Sequence, residues 1–361
     1  MAETNATILI PDISGFTEFM TSTELSHGTF AINMLIDAII KAVGEEYEVS
    51  EIEGDAVLLI KKGEAPSAEQ IQDICLKIFN AFHFQRKWMQ QHAVCPCGAC
   101  LAIIDLTLKF VVHHGPLAEI KVGRFVKHSG TEMIVAHRLL KNSINNNEYL
   151  LITDKLLEQS GPLQAGEMEW NSSSEEYASI GKVDYQFALL NEARKKCPEP
   201  PELQSYYTDD TPYFELLVAS GFRDVYMIMM NIPGRAEWMP GLQKVEQDIP
   251  QVFVGSVHYC TFENFEVIVS PLQMILFDDR IVYAESCHFK EIGLTLIHEY
   301  IFSKVDEKTS RFAYRLMNAD GGAIPDNIKD HCIAQMHSIA GSLADYCATV
   351  KHTFKPAFKE N

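Results

Sequence analysis

The chain has 361 residues, enough for two ordinary domains that each bury a core. An apolar share of 47% and a charged share of 22% are globular values and exclude collagen, coiled coil and extended disorder. A formal net charge of −19 excludes the broad cationic surfaces that nucleic acids and anionic membranes require, although bound cations would still allow an anionic nucleotide.

Residues 6–11 read as a buried strand and 30–43 as an apolar helix. Residues 47–52 and 56–61 read as a hairpin around Gly54-Asp55. Ser67 and Gln70 have capping-box spacing, and the helix that follows places Ile71, Ile74, Cys75, Ile78 and Phe82 on one face. Residues 106–113 and 117–122 read as a second hairpin around His114-Gly115-Pro116. A helix over 131–141 and strands over 149–153 and 185–190 complete an α+β sandwich. The proline-rich stretch Cys197-Pro198-Glu199-Pro200-Pro201 blocks helix interiors and central strands. It places a linker at 195–210 between a domain at 1–194 and another at 211–361.

Beyond the linker the pattern turns β-rich. A strand at 213–218 is followed by short helices around 223–230 and 235–239. Strand runs follow at 256–269, 273–277, 280–289, 294–305 and 311–317. The last element is a helix over 326–350, with Ile328, Ile333, Met336, Ile339, Ala340, Leu343 and Cys347 at helical spacing. One long amphipathic helix against a curved antiparallel sheet is a helix-grip arrangement, which encloses an apolar cavity. No run reaches the roughly 18 apolar residues of a membrane span. Met1-Ala2-Glu3-Thr4-Asn5 lacks the basic and apolar regions of a secretory signal, so the expected compartment is the cytoplasm, with the nine cysteines reduced.

Two segments carry the chemistry: Pro11-Asp12-Ile13-Ser14-Gly15-Phe16-Thr17 and Glu51-Ile52-Glu53-Gly54-Asp55-Ala56-Val57. Each is an apolar strand that delivers one aspartate at a turn. Taken singly, Asp12 is an ordinary helix cap and Asp55 an ordinary turn residue. Taken together, two carboxylates on neighbouring strand ends are a seat for hard divalent cations, Mg²⁺ or Mn²⁺, with a backbone carbonyl near Ile13 as a further oxygen. Backbone N–H groups of Ser14, Gly15, Phe16 and Thr17 would hold the phosphates of a nucleoside triphosphate.

The pair resembles the metal-binding aspartates of the class III nucleotide cyclases, over about residues 5–192. The resemblance implies a ferredoxin-like α/β sandwich, a metal–nucleotide site at a dimer interface, and hence a homodimer. Gly130-Thr131-Glu132-Met133-Ile134-Val135-Ala136-His137-Arg138-Leu139 is similar to the segment that carries the family's asparagine and arginine. Arg138 fits the arginine that supports the transition state, while Ile134 stands where the asparagine belongs and offers the ribose no hydrogen bond. Glu51 and Lys127 fall at the base-reading positions, as a combination that matches neither adenylate nor guanylate cyclases. Thr23-Glu24-Leu25-Ser26-His27, Cys95-Pro96-Cys97-Gly98-Ala99-Cys100 and Ala136-His137-Arg138-Leu139-Leu140-Lys141-Asn142 also resemble a bacterial group with a cyclase-like domain of unassigned function.

His92, Cys95, Cys97 and Cys100 have donors and spacing suited to Zn²⁺, or form a turn of small, partly buried thiols. Residues 206–352, through Tyr213-Phe214-Glu215-Leu216-Leu217-Val218 and Ile232-Pro233-Gly234-Arg235-Ala236-Glu237-Trp238-Met239-Pro240-Gly241, are similar to START-like (SRPBCC) domains. That likeness implies an apolar small molecule as ligand, with Met227–Met230 and the strand histidines His258, His288 and His298 read mainly as core or surface residues. The leading expectation is a two-domain signalling protein that binds a metal–nucleoside triphosphate and an apolar molecule, with nucleotide cyclisation open. The alternative is a cyclase-like dimerisation scaffold whose function lies in the C-terminal ligand module.

Overall fold

The computed structural model describes residues 3–95, 102–123, 125–163, 168–206, 211–247 and 251–350. It divides into two compact units, Met1–Met89 with Ala102–Pro200, and Gln90–Leu101 with Pro201–Asn361. Among the described residues no helix is long and apolar enough to cross a membrane.

The first unit is built on a mixed sheet. Its strands are β1 (Glu3–Ser14), β2 (Glu48–Glu53), β3 (Ala56–Lys62), β4 (Thr107–Val122), β5 (Phe125–Ser129), β6 (Tyr149–Thr153), β7 (Trp170–Tyr177) and β8 (Gly181–Leu189). The order is β2-β3-β1-β4-β6-β8-β7, with β5 paired to β4; β4 and β6 run parallel and the other pairs antiparallel. The helices are α1 (Phe16–Ser22), α2 (Leu25–Val43), α3 (Ala68–His92), α4 (Thr131–Leu139), α5 (Asp154–Ser160) and α6 (Asn191–Lys195). Ala6, Ile8, Leu9, Ile10 and Ile13 are all buried, so β1 reads as a continuous apolar run rather than an alternating one, as a strand covered on both faces must. Ile8, Ile10, Leu58 and Ile60 pack with Met133 and Ala136 of α4 on one face. On the other face Phe79 of α3 meets Phe110 of β4, ring centroids 6.5 Å apart. Burial of each such side chain contributes about 1.5–3 kcal/mol. The expected capping box is present: Ser67 N–H donates to Gln70 Oε1 (3.0 Å) and Gln70 N–H to Ser67 Oγ (3.2 Å).

The hairpin expected around His114-Gly115-Pro116 is instead the middle of one 16-residue strand, β4, paired to β1 through Ala6↔Gly115 and Asn5↔Pro116. Proline fits there for a definite reason. The Asn5 carbonyl accepts from Gly63 N–H, so the polar groups of Asn5 turn away from β4. Pro116 therefore occupies a non-hydrogen-bonded position and its missing N–H costs the ladder nothing. Gly115 is required by space: a Cβ there would stand 2.7 Å from Glu132 Cγ.

The second unit is a seven-stranded antiparallel sheet ordered β10-β11-β12-β13-β14-β15-β9. Its strands are β9 (Phe214–Val218), β10 (Leu242–Gln247), β11 (His258–Phe262), β12 (Glu266–Leu276), β13 (Arg280–Phe289), β14 (Leu294–Lys304) and β15 (Ser310–Asn318). The run expected over 256–269 is split by a turn after Phe262, and its second half joins 273–277 into β12 across a register shift at Pro271/Gln273. Bulges are one of the few places a sheet accepts proline. α7 (Phe222–Met230) and α8 (Asp326–Thr349) close one core with the sheet: Val225, Tyr226 and Met229 from the first and Met336, Ile339 and Leu343 from the second pack with Tyr283, Tyr300, Phe302 and Tyr314. The segment expected as a helix over 235–239 is a short 3₁₀ turn, Pro233–Glu237.

Candidate functional site

The β1–β3 register sets Asp12 opposite Ala56, and Ile13 N–H donates to the Asp55 carbonyl at 3.0 Å. Asp12 and Asp55 thus leave adjacent strands at the same end of the sheet. Gly54 (φ +67°) makes the turn that presents Asp55, and Gly15 (φ +90°) makes the turn from β1 into α1. Both need left-handed backbone, which favours glycine. Ser14 is buried, and its Oγ has no hydrogen-bond partner.

Burial raises the Asp12 carboxyl to about 6; Lys109 opposes this, and the neighbouring Asp55 charge adds to it. Lys109 lies opposite Asp12 in the β1–β4 pair, with Nζ 3.6 Å from Asp12 Oδ1 and 3.4 Å from the Leu140 carbonyl. Asp12 therefore has one lysine beside it and a second carboxylate, Asp55, close enough to raise it further. A divalent cation suits that imbalance, since hard cations take carboxylate oxygens. Among the described residues no group of three or more His, Cys, Asp or Glu side chains converges as a metal site, so a cation here would rest on the two aspartates, backbone oxygen and its own ligand.

The remaining residues named from sequence are placed as follows. Ser14, Gly15, Phe16 and Thr17 form the turn into α1, which has seven residues. Glu51 and Lys127 meet each other, Nζ–Oε2 3.0 Å, on the surface. Arg138 is exposed on α4, its guanidinium over the Tyr177 ring at 5.9 Å, and Ile134 is 53% exposed. Arg138 and Asp12 lie on the same face of the sheet, linked through Lys109, which contacts Asp12 and the carbonyl of Leu140 two residues beyond Arg138. Of the expected zinc ligands, His92 ends α3 and Cys95 is buried, whereas Cys97 and Cys100 lie outside the described residues.

The second unit holds a cavity of about 70 Å³ between α8 and the inner face of its sheet. Its walls are apolar, including Phe262, Phe265, Val267, Phe289, Met336 and Ile339. Its polar part comes from Arg235, Glu285, His298, Tyr300 and Gln335. Glu285 accepts from Arg235 Nη2 (3.3 Å), Tyr283 O–H (2.8 Å) and Tyr300 O–H (3.0 Å). Burial works to raise its carboxyl, but Arg235 and the hydrogen bonds hold it below the usual carboxylate range.

Sequence reading missed Lys109 and the Arg235–Glu285 centre. Each left a signal. Lys109 interrupts the apolar run Leu108-Lys109-Phe110-Val111-Val112, and Glu285 interrupts Ile281-Val282-Tyr283-Ala284. A lone charge inside a buried strand requires a partner.

Residues 32–149 match the model of a family described as a protein of unknown function, DUF2652. Uncharacterized protein Rv2561/Rv2562 of Mycobacterium tuberculosis is 32% identical over 120 residues, 33% of this chain; the chain spans 56% of that relative's length. Similar solved structures include the guanylyl cyclase Cya2 (13% identity, 52% of this chain and 92% of that one, TM-score 0.36). A bacterial light-regulated adenylyl cyclase is another (16% identity, 54% and 94%, TM-score 0.38). A third is the adenylyl cyclase CyaB from P. aeruginosa (14% identity, 52% and 95%, TM-score 0.37).

Proposed function

We propose that the first unit binds a divalent metal–nucleoside triphosphate complex as a divergent class III cyclase-like domain. The carrying observation is the convergence of Asp12 and Asp55, fixed by the β1–β3 register, in a half-buried place short of positive charge. Asp12, Asp55 and backbone oxygen near Ile13 would hold Mg²⁺ or Mn²⁺, which when bound shields phosphate charge. Ser14 to Thr17 would line the phosphates, and Arg138, exposed and on the same face, would meet the nucleotide across a homodimer. Glu51 and Lys127 would bias base choice only by giving up their mutual ion pair.

The test is equilibrium binding of the four ribonucleoside triphosphates with Mn²⁺, with a parallel assay for cyclic nucleotide and pyrophosphate. Metal-dependent binding lost in both Asp12→Ala and Asp55→Ala supports the reading, and product lost in both adds turnover. Binding unchanged in either variant overturns the site.

A second reading makes the first unit a scaffold and the second the functional module. Three points favour it: the isoleucine, Ile134, where the resemblance expects an asparagine, the mutual Glu51–Lys127 pair, and Lys109 on Asp12. On this reading the cavity between α8 and its sheet takes an apolar small molecule, as a START-like domain does.

A further inference from the structure

The first unit carries a second concentration of charge, away from the aspartates and of opposite sign. α3, the 3₁₀ turn Ile103–Asp105, the loop before β6, and α6 border an open pocket of about 740 Å³, within the ~300–1,000 Å³ of small-molecule sites. Four cations line it, Arg86, Lys87, Arg194 and Lys195, against one carboxylate, Glu148. In a chain of net charge −19 this is a local reversal of sign. The pocket shares no residue with the Asp12–Asp55 place, and α3 lies on the opposite face of the sheet from α4.

The charges here do not cancel. Arg86 is almost fully buried, and it donates to the carbonyls of Ile104 (2.6 Å) and Leu106, which are neutral acceptors. Glu148 is buried too, 2.9 Å from His83 and 3.7 Å from Arg194. Burial lowers His83 from the 6.5 of a free imidazole, so His83 adds no charge at pH 7. Burial, and next the charge of Arg194, brings Arg86 down to about 10; Glu148 and, least of all, the exposed Asp105 oppose this without cancelling it. Lys87 and Lys195 pair with Glu199 (2.5 Å) and Glu192 (2.6 Å), but both glutamates are about three-quarters exposed, and surface pairs of that kind are weak.

We propose that this pocket binds a small molecule bearing a phosphate group, held by Arg194, Lys87 and Lys195 above the buried charge of Arg86. A buried cation bonded only to neutral acceptors is costly, and an anion bound beside it offsets that cost. Phosphate matches the excess better than a carboxylate does, since a phosphate ester carries about −1.5 to −2 at pH 7 and a carboxylate −1. Its oxygens also accept two parallel bonds from the guanidinium fork of Arg194, while the lysines supply point charges. None of these residues belongs to the nucleotide reading, so either can stand without the other.

Calorimetric titration of the full chain with pyrophosphate and with acetate, at low salt and with EDTA present, is the test. EDTA keeps divalent cations from Asp12 and Asp55, so phosphate held there through a metal is not counted. Pyrophosphate is expected to bind about tenfold or more tightly than acetate. Arg194→Glu should weaken pyrophosphate about tenfold, and Lys195→Glu about threefold. Lys182→Glu makes the same charge change at the start of β8, far from Asn191 beyond its end, and should leave binding within about twofold. Equal binding of the two anions, an equal loss in Lys182→Glu and Arg194→Glu, or no binding of pyrophosphate at millimolar concentration overturns the proposal. None of those outcomes touches Mn²⁺-dependent binding at Asp12 and Asp55. The anion comparison needs no variant, and Lys195 is 70% exposed, so a folding defect in Arg194→Glu does not decide the matter.

Discussion

His258 and His298 are both held near 4 by burial, below the 6.5 of a free imidazole, against the pull of Glu285; Arg235 lowers His258 further. Their folded values are depressed, so unfolded chains bind more protons between those two values. Stability of the second unit is therefore whole above pH 6.5 and falls as pH drops towards 4, by about 1.4 kcal/mol per pH unit for each proton taken up. Glu132 in the first unit behaves differently. Its carboxylate accepts from His113 Nε2 (2.6 Å) and pairs with Lys155 (2.7 Å), and the His113 bond above all brings it down to about 2 from 4.5. Its contribution is whole above pH 4.5 and is lost as pH falls towards 2. Amide hydrogen exchange across this range should show β13–β15 losing protection at a higher pH than β1 and β4. Simultaneous loss in both units would contradict the assignment, and His298→Leu should reduce the slope in the second unit only.

Strand β4 shows which parts of an element are legible from sequence. Its two apolar runs were readable as strand, but Gly115-Pro116 reads locally as a turn, and only pairing with β1 makes it strand. The information lay in Asn5 and Gly63, more than fifty residues away, whose bond frees the Pro116 position from the ladder. Asp12 and Asp55 were legible for the opposite reason: Asp55 follows Gly54 directly and Asp12 stands three residues before Gly15, both glycines with positive φ at strand ends, a purely local signature. Lys109 and Arg235–Glu285 were not, because their partners come from other elements. The glycines give a paired test. Gly115→Ala drives a Cβ against Glu132, whose own carboxylate is pinned by His113 and Lys155, and should destabilise the first unit by about 1–3 kcal/mol. Gly341→Ala, in the interior of α8 with nothing within 4 Å of the new methyl, should stabilise the second unit by about 0.5–1 kcal/mol. Thermal unfolding resolved by unit reads both, and a neutral Gly115→Ala would mean Glu132 yields more readily than its bonds imply.

At the scale of the whole molecule the open matter is self-association. β2, β5 and α4 are tied side by side by Glu51–Lys127 (3.0 Å), Ser50–His128 (3.1 Å) and Glu53–His137 (3.4 Å). On those same elements Ile52, Val126 and Ile134 are each about half exposed. Half-exposed apolar side chains on elements tied together in this way are candidates for a contact with another chain. The cyclase-like reading places a second copy there, completing the site at Asp12 and Asp55. Sedimentation of the full chain should then give a dimer. Ile134→Glu should shift it to monomer, because two copies of the carboxylate would face each other across a two-fold interface. Metal-dependent nucleotide binding should weaken in step with dissociation, since Arg138 lies one helical turn from Ile134 and would reach a nucleotide held by the other copy. A chain that is monomeric at tens of micromolar, yet binds nucleotide through Asp12 and Asp55, would place the whole nucleotide site within one copy and remove the reason to set a second copy against Ile134.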